Sequence, residues 1–362
     1  MVRNRNTNIT VLAVLFLLIG LSFLRADFIN AQQTPVDPVT KTASPTPTPP
    51  IGEEEGIIKV DTEAVNVLFT AQDKSRRLFL GLKPTDLRVL ENGQPQEISS
   101  FTRQIDLPLS LAIVIDTSVS QERTLPQEKS AAISFIESVV RPAKDEVSVV
   151  SFTGESTLEQ GMTNNTTRLR HAINRVRFVP PSGYIGGGVS TPGTPPISGD
   201  NQAVVGSTAI WDAVWITSAE VLGLAPENTR RAIILLSDGM NTYGSKKLDD
   251  AVQAALKVEA VIYSIGVGDD FYGGVDKGVL SKISERTGGR AYFPRDEAEL
   301  REAFKQIQNE MRSQYLISYE PANQTLDGSY RKIEIQVVNP EMQKQKIKLT
   351  HRQGYFSKTS KK

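Results

Sequence analysis

The sequence predicts a doubly wound α/β domain with a mostly parallel sheet, inserted into a β-sandwich that the segments before and after it form together. Three observations predict this. Residues 109–312 alternate apolar strand-like runs with helix-period runs, the grammar of a sheet covered by helices on both faces. Residues 57–105 and 315–349 carry period-two apolar patterns and hairpin turn residues instead. Each flank is too short to bury a core of its own, so the two are expected to pair with each other, with connections to the inserted domain near Pro108 and Ser313.

Residues 1–31 read as an export signal. Arg3 and Arg5 give a basic start, residues 9–24 are almost wholly apolar, and Ala26 or Ala31 offers a small-residue exit. The apolar run is short against the ~20 residues of a bilayer span. Cleavage is therefore the first reading and an uncleaved anchor, the chain's one route to a membrane, the second. Residues 32–55 hold Pro35, Pro38, Pro45, Pro47, Pro49 and Pro50, then Glu53, Glu54 and Glu55. Such a stretch cannot bury enough apolar area to fold, and its prolines keep it extended as a spacer.

In the first flank, residues 56–106, Val60, Val65, Val67 and Phe69 lie in a strand-rich run, and Leu78, Leu80 and Leu82 repeat at period two. Asn92-Gly93 is a hairpin signal, because both central residues of the tight turn need positive φ. Residues 109–115, apolar but for Ser110, read as a strand buried on both faces. Thr124, Pro126 and Gln127 open a helix in a capping-box pattern, with Ile133, Phe135, Ile136, Val139 and Val140 inward. A strand at 147–152 and a helix at 169–176 follow. Residues 180–206 form a long loop with Gly186, Gly187 and Gly188, Pro192, Pro195 and Pro196. Loops of this length in compact domains are functional or disordered. Then come helix 209–222, strand 232–236, helix 248–256, strand 261–267, helix 279–286 ending at Gly288-Gly289, strand 291–293, and a helix from Asp296 to Arg312. Trp211 and Trp215, four apart, are expected to pack. In the second flank, residues 313–357, strands are expected at 315–319, 330–338 and 346–349, with Asp327-Gly328 as a hairpin between the first two. Residues 358–362 are a basic, solvated tail.

Composition narrows the chemistry. Lys plus Arg and Asp plus Glu number 41 each, so no global field attracts nucleic acid. The absence of cysteine excludes disulfides, thiolate catalysis and Cys-based metal sites, and His171 and His351, far apart, support neither a His-rich site nor a Ser-His-Asp triad. Neither a G-x-S-x-G elbow nor a Walker-type phosphate loop occurs.

What stands out is Asp116-Thr117-Ser118-Val119-Ser120, directly after the first buried strand. A carboxylate and two hydroxyls at alternate positions, on a loop leaving the sheet where doubly wound folds bind ligands, can converge on one point. All offer oxygen, the ligand of Mg²⁺ and Ca²⁺. Thr208, after the long loop, and Asp238, after strand 232–236, can complete the set from the same end of the sheet. Asp212 is expected beside this set or on the helix surface rather than on the ion. Asp269, Asp270 and Asp276 lack the spacing of an EF-hand loop and read as a solvated turn.

Asp116-x-Ser118-x-Ser120, Gly206-Ser207-Thr208 with Asp212, and Leu236-Ser237-Asp238-Gly239 resemble the metal-ion-dependent adhesion site of von Willebrand factor A domains, whose fold is Rossmann-like. The flanking strands 111–115 and 263–268 agree, so the resemblance covers about 107–312. Gly81-Leu82, Asp86-Leu87, Glu91-Asn92-Gly93, Tyr319-x-Pro321, Tyr330-Arg331-Lys332-Ile333 and Gly354-Tyr355-Phe356 resemble exported bacterial proteins related to that family. The resemblance implies that Ser118 and Ser120 coordinate the metal directly, and Thr208 directly or through water. Asp116 and Asp238 supply charge, partly through water, with Ser237, Gly239 and Asp212 behind them. One coordination position is left for an acidic side chain of a partner.

The functional expectation is an exported, non-enzymatic binding or adhesion module. Its ion is expected to be Mg²⁺, with Ca²⁺ or Mn²⁺ as alternatives. It would engage a protein ligand through Asp or Glu, with Gly186, Gly187 and Gly188 on the partner-selecting loop. The alternatives are a structural envelope protein whose metal stabilises the fold, and a metal-dependent hydrolase. The last is disfavoured because only Glu122 offers an acid beside the motif.

Overall fold

The computed structural model describes residues 64–104, 106–180, 184–186, 189–190, 207–226, 228–269 and 273–359. The expected signal, the spacer and the start of the first flank lie outside the described residues. In chain order the strands and helices begin with β1 (Val65–Gln72), β2 (Leu87–Glu91), β3 (Gln94–Gln96) and β4 (Ile98–Gln104). Then follow β5 (Leu109–Asp116), α1 (Leu125–Val139), β6 (Glu146–Phe152), β7 (Ser156–Thr163), α2 (Thr166–Arg175), β8 (Tyr184–Gly186) and β9 (Val189–Ser190). After the long loop come α3 (Ile210–Ile216), β10 (Arg230–Ser237), α4 (Leu248–Lys257), β11 (Ala260–Gly266), α5 (Lys277–Thr287), β12 (Ala291–Tyr292) and α6 (Glu297–Arg312). The last elements are β13 (Gln314–Tyr319), β14 (Tyr330–Val337), α7 (Pro340–Lys344), β15 (Lys348–His351) and β16 (Gly354–Phe356).

The central sheet runs β12-β11-β10-β5-β6-β7, parallel throughout except for the β6–β7 pair. All eight residues of β5 are buried, as its unbroken apolar run requires of a middle strand. On one face α1, α2 and α6 pack Phe135, Ile136, Leu169, Ile173, Phe304 and Ile307 against Leu111, Ile113 and Ile115. The rings of Phe135 and Phe304 stand 4.9 Å apart. On the other face α3, α4 and α5 bring Trp211, Val214, Val252 and Leu280 onto Val114, Ile233 and Leu235. The chain leaves β5 toward β6 on one side and returns as β10 on the other, which puts a crevice at the C-terminal ends of β5 and β10.

The two flanks interleave. One four-stranded sheet is β15-β1-β13-β4 and the other β16-β14-β2-β3, each mixing strands from before and after the α/β part. Val67, Phe69, Val89, Ile317 and Ile333 form the core between them. Four residues of the flanking sequence pattern meet there. The Glu91 carboxylate, buried, accepts from the hydroxyls of Tyr319 and Tyr355 at 2.9 Å each and lies 3.5 Å from Arg331. A buried charge is tolerated when it is bonded in this way.

Several local expectations need correcting. Asp327-Gly328 turns with Gly328 at φ 72, but it does not join a hairpin. β13 is already flanked by β1 and β4, so β14 crosses to the other sheet and pairs with β2 and β16. At Asn92-Gly93 the expected hairpin does form, with φ 48 and 83, between β2 and β3. Thr124 does not cap α1 with its side chain. It sits in the helical region, and its hydroxyl donates to Gln121 Oε1 at 2.8 Å. The helix expected to run to 222 is α3 followed by a π-helical stretch, Thr217–Val221, and a 3-10 turn, Leu222–Leu224. There the Ser218 hydroxyl donates to the Val214 carbonyl at 2.8 Å, competing with the helix's own bonds. β7 has no counterpart in the sequence reading, because STLEQGMT is too polar to show a buried pattern.

Candidate metal centre

β5 ends on Asp116 and β10 on Ser237, one residue before Asp238, and the two strands are hydrogen-bonded neighbours. The parallel register therefore sets both acidic loops side by side at the crevice. After Asp116 the chain makes a tight turn, Val119–Gln121, which brings Ser118 and Ser120 to the same side. Asp116 Oδ1 accepts from the Ser118 amide at 3.0 Å, and Oδ2 accepts from the Ser237 hydroxyl at 2.7 Å. The Ser118 and Ser120 hydroxyl oxygens stand 3.2 Å apart. Asp238 Oδ1 also accepts from the Met240 amide at 2.8 Å.

Thr208 is tied by its main chain to the loop that follows Asp238, with no bond from it to the Asp116, Ser118, Ser120 and Asp238 cluster among the described residues. Its amide donates to Thr242 Oγ1 at 2.9 Å, and its carbonyl accepts from the amides of Thr242 and Tyr243. The loop after Asp238 is thereby clasped to the loop before α3. Gly239 takes φ 85, and a Cβ there would lie 3.0 Å from both the Asp276 carbonyl and Leu280 Cγ. Only glycine suits that combination of conformation and space. Behind it, Asp276 caps α5 through the Val279 amide, and its own amide donates to the Asp238 carbonyl.

Other candidates are placed elsewhere. Asp212 accepts from the amides of Ser245 and Lys246 and from the Ser245 hydroxyl, so it shapes the loop after Tyr243 rather than the ion site. Gly186 ends β8, which pairs with β9, whereas Gly187, Gly188 and Gly206 lie outside the described residues. Asp269 pairs with Arg123 at 3.0 Å, and Asp270 is outside the described residues. Trp211 is in the core, and Trp215 lies under Lys246 Nζ at 4.3 Å.

Asp116 and Asp238 are almost wholly buried. Burial, followed by the charge of Asp238, pushes Asp116 up to about 7, against the opposing bonds from Ser118 and Ser237. Burial likewise raises Asp238, opposed by Ser120 and Met240. The groups acting most strongly on the two carboxylates are hydroxyls, amides and each other, with no Lys or Arg among them. Two acids buried together without a counter-charge form a site that a divalent cation would satisfy. The donor set is all oxygen, as hard cations require. The 3.2 Å between the serine oxygens also suits neighbouring ligands of an ion held at roughly 2.1 Å, which stand about 3 Å apart in an octahedron. Among the described residues no three His, Asp or Glu side chains are grouped to hold a metal; three of the five candidate donors are hydroxyls.

Two polar residues of this region escaped the sequence reading. Gln121, fully buried, donates from Nε2 to Ser120 Oγ at 3.3 Å and to the Val267 carbonyl at 3.2 Å. Glu128 is buried in α1, and burial first, with Asp116 and Asp238 adding to it, pushes it up to about 8. Its signal was present: it falls on the apolar stripe between Leu125 and Ala132.

Residues 111–191 match the model of the von Willebrand factor type A domain. Among solved structures the chain is similar to proximal thread matrix protein 1 from the mussel byssus, described with a zinc-occupied MIDAS motif. That match is 19% identical and covers 60% of this chain and 49% of that one, with a TM-score of 0.45. The chain thus spans about half the length of the mussel protein. A von Willebrand factor type A protein from Catenulispora acidiphila is 13% identical over 83% of this chain and 76% of that one, with a TM-score of 0.45. An aerotolerance-related membrane protein from Bacteroides fragilis is 15% identical over 57% of this chain and 100% of that one, with a TM-score of 0.41. No curated protein matches the sequence. The family match thus begins in β5 and runs through α1 and β6, within a parallel sheet covered by helices on both faces, so that residues 111–191 of this chain are similar to a von Willebrand factor type A domain.

Proposed function

We propose that Asp116, Ser118, Ser120, Thr208 and Asp238 hold a divalent cation, Mg²⁺ first, and that the protein uses it as a docking point for an Asp or Glu side chain of a protein partner. The observation that supports this most is the pair of buried carboxylates, Asp116 bonded to the Ser237 hydroxyl and Asp238 to the Met240 amide, with no Lys or Arg among the groups acting most strongly on either. Ser118 and Ser120 present oxygens to the ion, Thr208 binds directly or through water, and the aspartates balance the charge. Ser237 and Gly239 hold the aspartates' loops in place. The reading is of a binding module. Glu122 is the one acid beside the motif in sequence, and a hydrolase would need a base at the ion.

The same proposal takes residues 107–312 as the A-type domain, 56–106 and 313–357 as the sandwich that carries it, and 32–55 as a spacer. Residues 1–31 act as the export signal, which places the domain outside the cytoplasm. The long loop around Gly186 to Gly188 is the part of the docking face that selects the partner.

Calorimetric titration of Mg²⁺, Mn²⁺ and Ca²⁺ into metal-stripped protein tests the centre, beside an Asp116→Ala, Ser118→Ala double variant. Saturable binding by the parent that a folded variant loses is the expected result. No heat of binding from either protein defeats the proposal. A cation that raises the melting temperature but promotes no binding of acidic peptides would favour the structural reading instead.

A further inference from the structure

Glu128 lies one turn after Leu125 and one before Ala132, among the inward residues of α1. It is completely buried, and neither carboxylate oxygen has a hydrogen-bond partner. Buried acids are ordinarily bonded or paired, and a Leu or Met at this position would pack without that cost. An orphaned carboxylate here calls for a counterpart.

Two observations locate it. First, both Asp116 and Asp238 act on Glu128 electrostatically, so it shares the field of the candidate centre, although the three acids are not grouped closely enough to share an ion directly. Second, polar side chains run from Glu128 to the serines. Thr124 lies one turn before Glu128, with the Glu128 amide donating to its carbonyl at 3.1 Å, so the two side chains share a helix face, and the Thr124 proton is directed to Gln121 Oε1 at 2.8 Å. Gln121 in turn donates to Ser120 Oγ at 3.3 Å. The groups acting on Glu128 include no Lys or Arg.

Resting on the centre proposed above, we infer that Glu128 is a third carboxylate of the cation site. It acts from behind Ser120 through Thr124 and Gln121 rather than as a direct ligand, and it strengthens the hold on a divalent cation. Two aspartates already attract a doubly charged ion, and a third carboxylate in the same poorly screened interior adds to that attraction. Groups behind the direct ligands commonly change metal affinity by about 10- to 100-fold. The arrangement also predicts opposite effects on the two states. Without the ion Glu128 is an uncompensated buried acid that weakens the fold, and with the ion it is compensated.

Glu128→Gln and Glu128→Met variants test this, the second in case the first does not fold. Mg²⁺ and Mn²⁺ are titrated into each metal-stripped protein by calorimetry, and each is melted without metal. Both variants are expected to bind about tenfold or more weakly than the parent, and to melt at a higher temperature than the metal-free parent. Parent-like affinity in a folded variant overturns the inference while leaving the centre intact. A lower metal-free melting temperature together with weaker binding also overturns it, because Glu128 would then be serving the packing. A parent that binds neither ion defeats the centre itself, and this inference with it.

Discussion

The Ser237 hydroxyl donates to Asp116 Oδ2 across 2.7 Å, and so links the ends of two neighbouring strands, β10 and β5. Ser237 Oγ also accepts from the Gly239 amide at 3.1 Å, which ties the turn after Asp238 into the same contact. Ser237→Ala leaves a buried carboxylate oxygen without its donor. The expected cost in metal-free stability is about 1–3 kcal/mol, read from the urea midpoint at constant m. Cation affinity should fall as well, because the Asp116 carboxylate is freed to rotate.

Asp116 and Glu128 also set the pH response. Both fold with raised values, about 7 and about 8, against ordinary values of 3.8 and 4.5. Their contribution to metal-free stability is therefore fully present below about pH 4 and lost as the pH rises through 7 and 8. Urea unfolding without metal should show stability falling between pH 5 and pH 8.5 in the parent, with a shallower fall in Glu128→Gln. Cation binding displaces the Asp116 proton, so apparent Mg²⁺ affinity should weaken as the pH drops below 7. Affinity that does not change from pH 8 to pH 6 would count against Asp116 as part of the site.

At the opposite end of the sheet, Glu310 of α6 accepts from Gln72 Nε2 of β1 at 3.0 Å and from the Tyr292 hydroxyl at 2.8 Å, and lies 3.4 Å from Arg290. This one buried side chain joins the last helix of the α/β part to the sandwich. Glu310→Ala leaves several buried groups unpaired, and a loss of about 3 kcal/mol is expected. Equilibrium unfolding followed by both tryptophan fluorescence and far-UV circular dichroism would measure it. Metal affinity, read by calorimetry, should be little changed because the cluster is remote from Asp116.

His351 provides a second pH effect of opposite sign. Its Nε2 accepts from the Ile335 amide at 3.3 Å, and Nδ1 lies 2.7 Å from the Arg352 carbonyl. Burial holds the ring below its ordinary 6.5, against the opposing Arg352 carbonyl. A group depressed in this way contributes stability that is present above 6.5 and lost as the pH falls through its folded value. In His351→Asn that slope should disappear. The difference in unfolding free energy between parent and variant should narrow from pH 7 to pH 5.

Much of this was legible in one dimension. The run LAIVI before Asp116 announces a strand buried on both faces, because no other element hides five consecutive apolar residues so cheaply. Asn92-Gly93 announces its turn through a local requirement for positive φ. Asp116, Ser118 and Ser120 announce a polar cluster because alternate residues on one loop can face one point. Asp327-Gly328 shows the limit of such signals. A turn sequence specifies a turn, but whether its flanking strands pair depends on which sheet has a free edge.

What the sequence determined by itself was the order of most elements and a set of candidate oxygen donors, since periodicity and turn chemistry are properties of neighbours along the chain. Only the tertiary structure decided which of those donors meet. The parallel pairing of β5 with β10 sets Asp116 beside Ser237 across 121 positions of sequence. The same packing spends Asp212 on Ser245 and Lys246, and turns Glu128 from an ordinary helix residue into a buried acid without a partner. Those outcomes depend on register and burial, which arise only when distant segments exclude water from one another.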